Sequence, residues 1–367
     1  MADIVTTERF DYEHYSSLRV AAVDENGTQL SKGVFKYVTS GFGKGSVKTM
    51  IAGGINTPVH YRRGGNIRKM FDTMHGEAVK EGAAVALLHP FSFSYYRKFG
   101  YEKVCDHVIV RFPTRMIDFV PRGCNLVPYD ESRLSDLIEI YNKFSRGRNV
   151  LIKRFDDRYY KKPDKLIYIY YKDGEPSAYI VYSAKNEFIV NHMGNGLLTV
   201  HEMCYTSPEG LRELFSFLRM FEGEYDEIEL ANIALCPEVE LILRHYTHTS
   251  YTLVPDVMAK TLDTEKMLLM ADYPKNEGGF TVRVEDVMPS VAGNFKVSYG
   301  GGDCKVERTD GAPDLTLTAP AFTRLIYGYD GASAYTARYM EGIEINGDAD
   351  GFFLAFPKKP CGIFEHF

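Results

Sequence analysis

The sequence contains no tryptophan, no closely spaced pair of cysteines and no apolar run approaching the length of a membrane span. Each absence narrows the field. A spanning helix needs about 20 consecutive apolar residues, so no membrane partner is expected. The opening residues MADIVTTERF lack the charged-then-apolar order of a secretion signal, and a cytoplasmic protein is the expectation. The six cysteines stand at 105, 124, 204, 236, 304 and 361 without a Cys-x-x-Cys pair, which argues against a zinc site and a disulfide framework. Reduced thiols and no metal are the expectation. A basic surplus is missing too: 43 Lys and Arg against 49 Asp and Glu leave a net charge of −6. That balance argues against a nucleic-acid partner and is compatible with attracting a cationic amine.

What is present describes a folded chain of several units. With 45% hydrophobic and 25% charged residues the composition is that of a globular protein, and 367 residues exceed one ordinary core.

The informative stretch runs from Ile51 to Tyr101. Ile67, Met70, Phe71 and Met74 recur at i, i+3, i+4 and i+7, which predicts a helix ending near Gly82. Arg62-Arg63-Gly64-Gly65 precede it, so unpaired amides, the positive end of the helix dipole and two guanidinium groups converge on one point. Such a point suits a pyrophosphate. Taken alone, an Arg-Arg-Gly-Gly turn is more often a solvated loop. Its context shifts the balance, because Ala83 to Leu88 follows as a buried strand and Pro90 stops it before the aromatic segment Phe91 to Tyr101.

Two neighbouring glycine features carry other readings. GFGKGS at 41 to 46 lacks the Gly-Lys-Ser/Thr order of a phosphate-binding P-loop, since Gly45 intervenes, and it is read as a hairpin turn. Gly53-Gly54 near the end of the strand Val47 to Ile55 permit close approach of another backbone or a bulge.

The segment Arg62 to Ile67 resembles the acetyl-CoA pyrophosphate loop of the GCN5-related N-acetyltransferases (GNAT), Arg/Gln-x-x-Gly-x-Gly/Ala, with Gly65 in the central glycine position. Ile67 departs from the usual final small residue. Together with Tyr95-Tyr96-Arg97-Lys98-Phe99-Gly100-Tyr101, the loop resembles the enhanced intracellular survival (Eis) family of that superfamily. The resemblance implies an α/β (α+β) fold of tandem GNAT-like domains, with mixed central sheets flanked by helices, and a sterol-carrier-like α+β domain at the end. Expected boundaries are 1–120 for a catalytic domain, 121–275 for a degenerate second copy and 276–367 for the third.

The second copy repeats the pattern without the chemistry. Leu134, Leu137, Ile138 and Tyr141, and again Leu211, Leu214, Phe215 and Leu218, make helix faces, and Asp173-Gly174 turns a hairpin between them. The segment His201 to Pro208 has no Arg or Gly cluster, and His201 and Glu202 are read as structural or exposed. In the third part, Phe280 to Val284, Phe295 to Ser298, Cys304 to Arg308 and Asp314 to Thr318 are strand candidates, and Ala321 to Tyr327 and Ala332 to Met340 helix candidates. Residues 312 to 318 resemble the sterol-carrier-like module of Eis-type proteins; lipid binding does not follow.

At the front, residues 1 to 16 read as a polar lead with Tyr12 and Tyr15, so the two helices that usually precede the first hairpin in GNAT proteins are not expected within them, and a first domain short at its N-terminus is the expectation. The run His107 to Phe112 is expected to close the first sheet.

By position, the resemblance implies acetyl-CoA as cosubstrate, held by the main chain of Ile55 and Thr57 and by Arg62, Arg63, Gly64, Gly65, Asn66 and Ile67. It implies Tyr96 as the acid that protonates the departing thiolate, and the terminal carboxylate of Phe367 as the base. The expected activity is N-acetylation of a primary amine on a small molecule, aminoglycoside-like or polyamine, by direct transfer in a homo-oligomer, a hexamer in that family. A non-catalytic acyl-CoA-binding or scaffold protein and a carrier of apolar ligands through the third domain are the alternatives.

Overall fold

The computed structural model describes residues 4–161, 164–185, 196–243 and 247–367. The first part of the chain forms β1 (Ile4–Asp11), β2 (Ser16–Val23), β3 (Gln29–Phe42), β4 (Gly45–Asn56), α1 (Asn66–Lys80), β5 (Val85–Leu88), α2 (Phe93–Arg97) and β6 (Glu102–Lys103). The middle forms β7 (Asp106–Pro113), β8 (Leu126–Pro128), α3 (Leu134–Phe144), β9 (Leu166–Lys172), β10 (Glu175–Lys185), β11 (Leu197–Tyr205), α4 (Pro208–Arg219), β12 (Glu227–Leu230), α5 (Glu238–Ile242) and β13 (Ser250–Pro255). The last part forms β14 (Met258–Thr261), α6 (Thr264–Met270), β15 (Gly278–Glu285), β16 (Gly293–Gly300), β17 (Asp303–Arg308) and β18 (Leu315–Thr318). After these come α7 (Ala319–Ile326), α8 (Ala334–Tyr339), β19 (Ile343–Ile345) and α9 (Asp350–Ala355).

These strands make three sheets, ordered β1-β2-β3-β4-β5-β14-β6, β13-β7-β12-β11-β10-β9-β8 and β17-β16-β15-β18-β19. The first two are mixed, each with one parallel pair at its centre, β4 with β5 and β11 with β12. In the first, α1 supplies the connection that a parallel pair needs. Met70, Phe71, Met74 and Ala78 are fully buried on one side of α1, as its periodicity predicts, and burying each large side chain contributes roughly 1.5–3 kcal/mol. Glu81 closes the helix and Gly82 follows at φ +81°. All four residues of β5 are buried.

Two expectations need correction. The run His107 to Phe112 does not close the first sheet; it is β7 of the second, where Phe112 pairs with Ile228 and Val110 with Leu230. Its place in the first sheet is taken by β14, which returns after the whole second unit to lie between β5 and β6. Period-2 alternation identifies a strand and its buried face, but not the sheet it joins. The opening residues are likewise not a polar lead: Ile4 to Asp11 pair with Val23 to Ser16 as an edge strand. Most of the described side chains of β1 are exposed, so it carries no apolar alternation to read. Only residues 12–15 connect β1 to β2, and no helix stands between them.

Candidate active site

The site begins where β4 and β5 part. Their parallel pairing runs from Thr49 with Val85 to Ala52 with Leu88 and stops there, although β4 continues to Asn56. Gly53 to Asn56 therefore keep an unpaired main-chain edge on the β5 side. Gly54 lies at φ +60°, next to a register shift between β3 and β4, which bends the strand away. Thr57 just beyond is fixed by a 2.8 Å hydrogen bond between its hydroxyl and that of Ser31.

The turn into α1 is shaped for an anion. Arg63 and Gly65 are left-handed, at φ +66° and +75°, and Gly65 is the N-cap without any side-chain hydrogen bond to the first turn. The first turn carries no acidic residue. The positive end of the helix dipole therefore meets neither a side-chain cap nor a carboxylate of its own first turn, as an anion site requires. Asn66 is buried and its Nδ2 donates to the Tyr61 carbonyl at 3.2 Å, while Arg62 Nε donates to the Thr57 carbonyl at 3.2 Å. Arg68 donates to the Lys98 carbonyl at 2.8 Å and lies over the Phe99 ring. A cavity of about 770 Å³ opens here, and every residue expected to hold the cofactor, Ile55, Thr57 and Arg62 to Ile67, lines it. Arg68 and Lys98 also line it, and no acidic residue does. Ile67 adds apolar wall where a small residue was expected. The groups present thus fit a long ligand with an anionic middle and a polar main-chain-pairing arm.

Tyr96 sits on α2, which starts at Ser92, whose hydroxyl accepts from the Tyr95 amide at 3.3 Å. It is only 4% exposed, edge-on to Phe71 and Phe91. Burial, helped by the neighbouring Tyr95, pushes its phenol up to about 12. Tyr95 rather than Tyr96 lines the described cavity. Tyr96 is thus an inward-facing phenol that keeps its proton.

The C-terminal tail arrives from the third unit and crosses the second to reach Gly53 of β4 and His89. Asn149 donates its amide to the Pro360 carbonyl at 2.9 Å and accepts from Gly362, and Asn232 Nδ2 donates to the Ile363 carbonyl at 3.1 Å. Arg154, 2% exposed, holds both carboxylate oxygens of Glu202 at 2.6 and 2.8 Å and the Glu365 carboxylate at 2.8 Å, with Tyr141 stacked against its guanidinium. Burial pushes the Glu365 carboxyl up, and Glu202 adds to this while Arg154 opposes it. Glu202 is accordingly a structural residue. The tail ends with the Phe367 ring 4.4 Å from that of His89, and a Cβ added to Gly53 would stand 3.0 Å from the terminal carbon of Phe367. The parted strands and the chain terminus therefore meet at Gly53.

Sequence reasoning missed His89, Asp256, Arg154 and Glu365. His89 is the one with a local signal, since it directly follows β5 where that strand leaves β4. Asp256 touches it from 167 positions away, and no local pattern marks such a pair.

The corresponding point of the second unit is closed. There α4 begins with Pro208 and is capped by Ser207, whose hydroxyl accepts from the Gly210 amide at 3.1 Å, and Glu209 occupies the first turn. Among the described residues, no group of three or more His, Cys, Asp or Glu is arranged to hold a metal ion, and no helix is long and apolar enough to cross a membrane.

Comparison with known proteins agrees with this architecture. Two models of an acetyltransferase (GNAT) domain match the chain, one over residues 7–104 and another over 148–267, together more than half of its length. No curated protein matches it at the sequence level. Among solved structures, a GCN5-related N-acetyltransferase from Anabaena variabilis ATCC 29413 aligns over 97% of this chain and 90% of its own, with a TM-score of 0.82 and 15% identity. Eis1 from Mycobacterium abscessus aligns over 98% and 92%, with a TM-score of 0.79 and 16% identity. An Enterococcus faecalis V583 protein described as a probable N-acyltransferase aligns over 96% and 90%, at 0.77 and 17%. At these identities the likeness is one of fold.

Proposed function

The chain belongs to the GCN5-related N-acetyltransferase superfamily as a tandem-domain acetyltransferase, and from that premise we propose that its first unit transfers an acetyl group from acetyl-CoA to a primary amine. The observation that carries the reading is the open β4 edge, which has the terminal carbon of Phe367 beside Gly53 and, from Ile55 to Thr57 at its end, lines one cavity with the turn into α1. In this reading Ile55 and Thr57 pair with the pantetheine arm through their main chain, and Arg62 to Ile67 hold the pyrophosphate. Acetyl-CoA supplies a thioester carbonyl open to attack by a neutral amine. The Phe367 carboxylate accepts the amine's proton, directly or through water, and Tyr96 delivers a proton to the departing sulfur as the C–N bond replaces the C–S bond. Holding the two reactants in line supplies much of the remaining acceleration.

Its acceptors are aminoglycoside-like or polyamine molecules, in keeping with the net charge of −6. The third unit is a sterol-carrier-like module whose part in the reaction is to deliver the tail, and the protein works in the cytoplasm as a homo-oligomer, a hexamer by resemblance. Tyr95 is the second candidate for the acid, because it lines the cavity. The test is thiol release from acetyl-CoA against a panel of amines, with the intact chain beside Tyr96→Phe, Tyr95→Phe and a chain lacking Phe367. Loss of turnover with retained acetyl-CoA binding in Tyr96→Phe and in the shortened chain supports both roles. Binding without turnover on any amine favours the non-catalytic reading, and no binding at all removes the pyrophosphate-loop assignment.

A further inference from the structure

His89 and Asp256 lie against the tail, outside both the loop and the tyrosine segment. His89 Nδ1 stands 2.8 Å from Asp256 Oδ1, and its Nε2 stands 3.1 Å from the main-chain oxygen of Glu365. Both partners are oxygens. A peptide carbonyl has no hydrogen to give, so Nε2 is the donor to Glu365. The ring therefore links the Asp256 carboxylate to the main chain of Glu365. Its charged and titratable surroundings are Asp256, the His366 ring at 5.3 Å, and the Arg154–Glu202–Glu365 cluster on the far side of Glu365.

The place of this pair in the fold gives it a consequence. Asp256 lies between β13 and β14, in the link that returns the chain from the second sheet to the first. Glu365 is gripped twice, at its side chain by Arg154 from the second unit and at its main chain by His89 from the first. A chain terminus two residues beyond would otherwise fray.

We propose that the His89–Asp256 pair is a positioning device that seats the C-terminal tail, so that the Phe367 carboxylate stays at the parting of β4 and β5. The proposal rests on the reading of that carboxylate as the base. His89 acts through the tail and is a positioning residue.

The test uses the full chain with Asp256→Asn and His89→Gln. Three readouts are taken at neutral pH: the ¹⁵N spectrum of the histidine-labelled protein, release of Phe367 by a carboxypeptidase followed by mass spectrometry, and the separate kcat and KM for acetyl-CoA. In the intact chain Nε2 of His89, assigned by difference from His89→Gln, carries a proton, and Phe367 is removed slowly. Both variants release Phe367 faster and lose about 10- to 100-fold in kcat, the range for a broken charge-assisted hydrogen bond, with KM nearly unchanged. Unaltered KM also shows that the variants are folded. An Nε2 without a proton in the intact chain, or release of Phe367 at the intact rate in both variants, overturns the proposal. Faster release with unchanged turnover keeps the clamp and overturns instead the reading of Phe367 as the base, so the two failures are distinguishable.

Discussion

At the scale of single residues, Tyr96 and Gly53 carry the argument. The acid role proposed for Tyr96 requires a phenol that holds its proton at the working pH, and burial raises it to about 12, where free tyrosine loses its proton near about 10. The sign is simple: below the raised value the phenol is neutral and able to donate. Turnover should therefore not fall between neutral pH and about pH 10 for want of the acid. Tyr96→Phe should lower kcat by about 100-fold or more across that range, the usual worth of a positioned acid, and Tyr95→Phe should cost less. A pH–rate profile that falls with a midpoint near that of free tyrosine, or equal losses in both variants, would contradict the assignment. Gly53 makes a different demand. Its Cβ, if present, would stand 3.0 Å from the terminal carbon of Phe367, so Gly53→Ala must push the tail by a few tenths of an ångström. We expect normal folding and acetyl-CoA binding, with kcat down about tenfold, because small misplacements of a reacting group are costly.

At the scale of elements, α1 and its turn are the part the sequence makes most legible. Met70, Phe71 and Met74 mark the buried face, Gly82 the end, and the glycines the turn, because each of these is a local property of a few consecutive residues. The same holds for β5, α3, α4 and strands β15 to β18 of the third sheet, but not for β19. What the pattern cannot give is the conformation of Arg63, which adopts φ +66° without being glycine. For an ordinary side chain the left-handed region costs roughly 1–2 kcal/mol. Arg63→Gly should relieve that strain and, after the extra chain entropy of glycine, stabilise the fold by roughly 0.5–1 kcal/mol. It also removes a cation from the cleft, so KM for acetyl-CoA should rise about tenfold, in line with loss of one charge-assisted contact. Thermal unfolding and steady-state kinetics on the same sample read the two opposite effects. A variant both more stable and equally tight would show that Arg63 faces no anion.

At the scale of the whole molecule, the site exists only because the three units interlock. β7 is lent to the second sheet, β14 comes back to the first, and the tail of the third unit crosses the second before it reaches β4. The destination of the tail is expected from the resemblance, through Phe367, but neither the strand exchange nor the residues that hold the tail are legible, because they join positions far apart in sequence whose local patterns name no partner. The two tail clamps are the sharpest case: nothing around Arg154 or His89 announces Glu365. The Arg154 cluster also sets a pH-dependent test of the interlock. One buried guanidinium faces two carboxylates, and burial already raises Glu365. Arg154→Met fills similar space but leaves Glu202 and Glu365 without their cation, and breaking a buried pair in this way costs about 3–5 kcal/mol. A carboxyl whose folded pKa lies above its unfolded value destabilises the fold when ionised, at high pH, and the penalty fades as pH falls and the folded state takes up the proton. The deficit in Tm of Arg154→Met relative to the intact chain should therefore be larger at pH 8 than at pH 5, while Phe367 becomes open to carboxypeptidase at pH 8. An equal deficit at both pH values would mean that the lost contacts are those of packing rather than charge, and that the tail is held without the help of Arg154.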